Sequence, residues 1–148
     1  MRVLSKAAAA IAITAAMVVL PAMGASAGVV SPYCQSSNQG STSFSQNLQC
    51  RLQEGPAQQF GYTGPINGVF GVNSWIGMQK FLAAYYGYTG PINGVPGTNT
   101  YKALQRWASD KKHGGTYTGP INGVLAVNSW TGVDKALTYD YYSPAARL

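Results

Sequence analysis

The sequence predicts a mainly α fold: a small bundle of about four short helices, joined by repeated Gly/Pro/Asn-Gly loops and held by one disulfide. Three observations carry this. The octapeptide "YTGPINGV" stands unchanged at 62–69, 88–95 and 117–124. After each copy, apolar residues recur at i, i+3 and i+7, the spacing of one helix face. No segment sustains a period of two, so extended sheet is not expected.

The chain opens on a targeting signal. Arg2 and Lys6 precede the uncharged run "AAAAIAITAAMVVL" at 7–20, and Ala25-Ser26-Ala27 has the small-x-small form of a cleavage site. Residues 1–27 read as a signal peptide, with Gly28 starting the mature chain. The apolar run is shorter than the ~20 residues a membrane span requires. Residues 28–44, rich in Ser, Gly, Gln and Asn, read as an irregular arm. Export places Cys34 and Cys50 in an oxidising space, so they are expected to pair. The bridge would close a loop of 17 residues and contribute about 3 kcal/mol.

Residues 45–142 form the repeat domain, and 143–148 a C-terminal tail. "SQNLQCRLQE" at 45–54 places Leu48 and Leu52 four apart, a short amphipathic helix. Tyr62 to Tyr88 is 26 residues and Tyr88 to Tyr117 is 29, the extra three lying in "SDKKHGG". A repeat of this period signals stacked supersecondary units. Ser74, Thr100 and Ser129 are expected N-caps. The helical stripes are Trp75, Met78 and Leu82, then Tyr101, Leu104 and Ala108, then Trp130, Val133 and Leu137. Trp75 and Trp130 are expected in the core, whereas Trp107 lies off its stripe and is expected at the surface.

Within each loop, Pro fixes a bend and Asn-Gly is a turn pair, with positive φ expected at Gly68, Gly94 and Gly123. The Ile and Val of each copy are expected to point inward. The tyrosines admit two readings. Either the loop is a helix connector and its Tyr packs inside, or three loops present Tyr rings and Asn amides to a ligand.

Composition excludes several classes. Removing Arg2 and Lys6 with the signal leaves eight of ten basic residues against four acids, a net charge of +4. The bases are scattered, so no nucleic-acid partner is expected. His113 is the sole histidine, sits between polar and Gly residues, and is expected in solvent. A zinc site takes three or four ligands, and a glycosidase two placed carboxylates. Glu54, Asp110, Asp134 and Asp140 lie far apart in sequence with no sign of a shared cleft. No catalytic residue, metal or cofactor is expected.

One pattern resembles a known family. Gly-Tyr, a short loop, Asp-Gly, a spaced Gly and Thr, then a helix with Ala-Leu-Gln is similar to the helical peptidoglycan-binding domain, often appended to bacterial cell-wall hydrolases. The second copy matches best: Gly87-Tyr88, Asn93-Gly94, Gly97, Thr100 and Ala103-Leu104-Gln105. "NLQCRLQ" at 47–53 resembles the helix before the family's loop, and the likeness covers about 45–139. Asn67, Asn93 and Asn122 stand where the family has Asp. In the third copy Ala126 replaces the Gly of 71 and 97, and Asp134 replaces the Gln of 79 and 105. The resemblance implies a non-catalytic module that adsorbs to cell-wall peptidoglycan or a related glycan. It would be secreted, extracellular or non-covalently wall-associated, monomeric, and without a membrane partner after signal cleavage. Ligand contact is expected at Tyr62, Asn67, Tyr88, Asn93, Tyr117, Asn122 and Trp107. The alternatives are an inhibitor or accessory protein of a cell-wall enzyme, and a binder of another glycan such as chitin.

Overall fold

The computed structural model describes residues 29–35 and 40–142; the expected signal peptide at 1–27, Gly28, residues 36–39 and the tail at 143–148 lie outside the described residues. It is mainly helical, with five α-helices and no strand among those residues. A short α1 (Pro32–Gln35) lies in the arm. The four larger helices are α2 (Gln46–Leu52), α3 (Val72–Tyr85), α4 (Thr98–Ser109) and α5 (Val127–Leu137). Cys34 on α1 is bonded to Cys50 on α2, as expected.

The helix starts, at 46, 72, 98 and 127, keep the spacing of the loops. α2 is therefore the first of four units. Two helices are continued by wider π turns, Gln53–Ala57 after α2 and Thr138–Tyr142 after α5. Pro56 lies inside the first and supplies no amide to an ordinary helical turn. The three extra residues of the last connection form a 3-10 turn at Lys111–His113, ended by Gly114 at φ +73°.

Helix starts differ from expectation. Ser74, Thr100 and Ser129 are not N-caps but the third residue of each helix. Gly71, Gly97 and Ala126 occupy the extended cap position. Thr100 and Ser129 accept from the backbone amides of Gly97 and Ala126, at 3.3 and 3.4 Å. They satisfy the cap's own amide rather than the helix's. In α2, Ser45 is a true N-cap and accepts from the Leu48 amide.

The stripes face one core. Leu48, Leu52, Met78, Leu82, Leu104, Val133 and Leu137 are buried together, each such side chain contributing about 1.5–3 kcal/mol. Trp75 is buried, and Trp130 is half-buried with its ring stacked 4.9 Å from Phe44. Small residues let the helices close up. A Cβ on Gly77 would sit 2.7 Å from the Ala57 carbonyl, and one on Gly132 2.8 Å from that of Ala108.

The array closes on itself through Asp134. This carboxylate is buried and pairs with the Arg51 guanidinium, while its other oxygen accepts from the Gly40 amide at 3.1 Å. Arg51 also donates to Thr138 and lies over the Tyr142 ring. The first and last of the four larger helices, α2 and α5, are thereby joined.

Candidate functional site

A buried glutamine organises each repeated loop. Gln53, Gln79 and Gln105 each stand seven residues after their helix start and are fully buried. Gln79 Oε1 accepts from the Asn93 and Gly94 amides at 3.0 and 2.8 Å. Its Nε2 donates to the Val95 carbonyl at 3.1 Å and to the Tyr88 hydroxyl at 3.3 Å. Gln53 serves the first loop in the same way. Gln105 serves the third, except that the Asn122 amide turns to Pro120 instead. Asp134 is the fourth member of this series, and no fourth copy of the octapeptide follows it among the described residues.

The Asn-Gly turns fit this frame only as glycine. Gly68, Gly94 and Gly123 have φ of +72°, +76° and +80°, as expected. A Cβ on them would lie 2.7, 2.5 and 2.8 Å from the carbonyls of Gln46, Val72 and Thr98, the first residues of α2, α3 and α4.

The loop tyrosines are connectors in this geometry. Tyr62, Tyr88 and Tyr117 are only 7, 6 and 9 % exposed. Their hydroxyls donate to the Pro65, Pro91 and Pro120 carbonyls at 2.7–2.8 Å. Asn67 is half-buried, and Asn93 and Asn122 are exposed. Their Oδ1 atoms accept from the Val69, Val95 and Val124 amides. Only the edge of each Tyr ring reaches the surface, in shallow clefts of about 210–250 Å³ between loop and following helix.

Two expectations are corrected. Trp107 is fully buried, because its ring packs on Phe81 and its Nε1 donates to Asp140 at 3.0 Å. Of the loop Ile residues only Ile66 is buried; Ile92, Ile121 and the valines at 69, 95 and 124 face outward. The Gln frame turns the backbone carbonyl of each Val inward and so its side chain out. His113 is exposed, as expected, and its Nδ1 lies 2.6 Å from Asp140 Oδ1.

That last pair belongs to a cavity of about 340 Å³ that the sequence did not disclose. Gln59, Phe81, Tyr85, Tyr86, Asp110, His113, Asp140 and Tyr141 line it. Asp110 and Asp140 therefore do share a cleft. The cleft lies where the π turn after α2, the C-terminal ends of α3 and α4, the 3-10 turn and the π turn after α5 converge. Asp140 is occupied by Trp107 and His113, and Asp110 caps the 3-10 turn through the Lys112 amide. Burial holds the Tyr86 and Tyr141 phenols well above the ordinary phenol range, with the Asp140 charge adding to it. Both stay protonated at neutral pH, and the Tyr141 hydroxyl donates to Gln59 Oε1 at 2.5 Å. Tyr85 is the most open ring, 63 % exposed.

Among the described residues no three His, Cys, Asp or Glu side chains gather as a metal site. No described helix is long and apolar enough to cross a membrane. No protein-family model, curated protein or solved structure matches the chain.

Proposed function

We propose that this chain is a secreted, non-catalytic binding module that adsorbs to bacterial cell-wall peptidoglycan, with the aromatic cleft at Tyr85, Tyr86 and Tyr141 as its saccharide subsite. The cleft carries the reading. Open aromatic faces stack on the apolar face of a pyranose, and flanking carboxylate, imidazole and phenol groups hydrogen-bond its hydroxyl and acetamido groups. The repeated loops support it through their resemblance to the peptidoglycan-binding domain, although their tyrosines serve the frame rather than a ligand. Among the described residues the Nδ2 groups of the loop asparagines make no hydrogen bond, while their Oδ1 atoms hold the turn.

Binding rather than hydrolysis is favoured by the state of the acids. Asp140 holds Trp107 and His113, and Asp110 holds the 3-10 turn. A hydrolytic pair requires one carboxyl free to protonate the leaving oxygen and one free to act opposite it. Sedimentation with insoluble peptidoglycan, beside chitin and cellulose, tests the class. Peptidoglycan should carry the protein down at concentrations where cellulose does not. Equal adsorption to all three would replace the reading with a general glycan binder, and adsorption to none would reject it. Release of soluble sugar from any of them would reject the non-catalytic assignment.

A further inference from the structure

The N-terminal arm crosses the first repeated loop and leaves the second one open. Val29-Val30-Ser31 runs parallel to the loop at Ile66. The Ile66 amide donates to the Val29 carbonyl at 2.9 Å, and the Ser31 amide to the Ile66 carbonyl at 2.8 Å. Beneath this cover Ile66 is 1 % exposed.

Ile92 occupies the same place in the second loop. It follows Tyr88 by four residues, as Ile66 follows Tyr62, and the Gln79 frame around it matches that of Gln53. Yet among the described residues neither its amide nor its carbonyl has a partner, and its side chain is 45 % exposed. Val95 beside it is 65 % exposed and Val72, which adjoins the loop at Gly94, 57 %. The third loop is different: the Asn122 amide turns back to Pro120, which kinks the chain at Ile121.

We propose that the second loop is a docking site for an extended apolar segment of a partner protein, which pairs with Ile92 as Val29–Ser31 pairs with Ile66. A free donor and acceptor on one extended residue, flanked by exposed aliphatic side chains, is the requirement for strand addition. The chain's own arm gives the chemistry of the occupant: β-branched residues in an extended run, ending in a small polar residue. A second copy of the chain does not supply it, because each arm is tied to its own α2 by the Cys34–Cys50 bridge. The site shares no lining residue with the aromatic cleft and does not rest on the wall-binding reading.

The test is a titration of the isotope-labelled full chain, followed by amide NMR. The probe is acetyl-Gly-Val-Val-Ser-Pro-Tyr-amide, the sequence of residues 28–33. Two backbone bonds and one covered side chain correspond to a Kd on the order of 1 mM. Shifts should centre on Ile92–Val95. N-methylation of the peptide's Ser removes one bond and should weaken binding about tenfold. The variant I92E, at an exposed position, should keep the native spectrum elsewhere and lose the response. Absence of shifts, equal binding of the N-methylated peptide, an undiminished response in I92E, or shifts centred on Ile66 would each overturn the proposal. So would concentration-dependent dimers formed through this loop.

Discussion

Gln79 is a side chain with no exposed surface and four backbone or hydroxyl partners in the loop that follows it. Truncation to Ala would leave the buried Gly94 amide and the partly buried Asn93 amide and Val95 carbonyl without partners, a buried group of this kind costing about 1–3 kcal/mol. Gln79→Ala should therefore destabilise the protein by about 3 kcal/mol in urea denaturation, well beyond the effect of removing an exposed amide such as Asn99. Gly94→Val should be as severe: φ of +76° penalises a β-branched residue, and the Val72 carbonyl stands 2.5 Å from the new Cβ. Strain and overlap together correspond to about 2–3 kcal/mol; an unchanged melting temperature would refute the turn. At this scale the sequence was partly legible. Asn-Gly reads as a turn because few pairs tolerate that backbone. The 26-residue step from Gln53 to Gln79 to Gln105 was there to be read as a frame. The tyrosines were not decidable, since an amphipathic ring suits a core edge and a ligand equally, and only the carbonyls of Pro65, Pro91 and Pro120 settle where the hydroxyls go.

The helices themselves were legible from their 3–4 spacing, because a stripe of Leu, Met and Val has no other way to leave water. Their starts were not. Ser and Thr serve equally at the cap and at the third position, and the extended Gly71, Gly97 and Ala126 carry no side-chain signal. What joins α2 to α5 was also hidden, because Arg51 and Asp134 lie 83 residues apart. Their pair is fully desolvated, so removing one partner leaves an uncompensated charge. Asp134→Ala should cost about 3–5 kcal/mol, and should cost less when combined with Arg51→Met. Additive losses in that double-mutant cycle would show that the two groups do not act together. The Cys34–Cys50 bridge is a second tie, between α1 and α2. Reduction should lower stability by about 3 kcal/mol through the restored freedom of the unfolded loop, read as a lower melting temperature in the presence of a reductant.

Taken as a whole, the molecule brings Tyr85, Tyr86 and Tyr141 together in one cleft. The cleft they help form was not legible, since its lining comes from five stretches that only the closed array brings together. One consequence is a pH dependence. Burial, then neighbouring carboxylates, raises the Tyr86, Tyr141 and Tyr142 phenols above their unfolded value of about 10. The folded state therefore retains protons that the unfolded state gives up, so this stability is complete below pH about 10 and is lost as pH rises beyond it. Thermal melts should be level near neutrality and fall above that point, and fall less steeply when all three are Phe. An identical alkaline slope in the triple variant would exclude these phenols as the cause. Binding of a wall saccharide in the aromatic cleft is open to a sedimentation isotherm on purified peptidoglycan for wild type and Tyr85→Ala. Tyr85 is largely exposed, so its loss should leave the melting curve in place. One stacked ring contributes about 1 kcal/mol, and the variant should bind roughly fivefold to tenfold more weakly. A folded Tyr85→Ala protein that sediments as wild type does would contradict the claim.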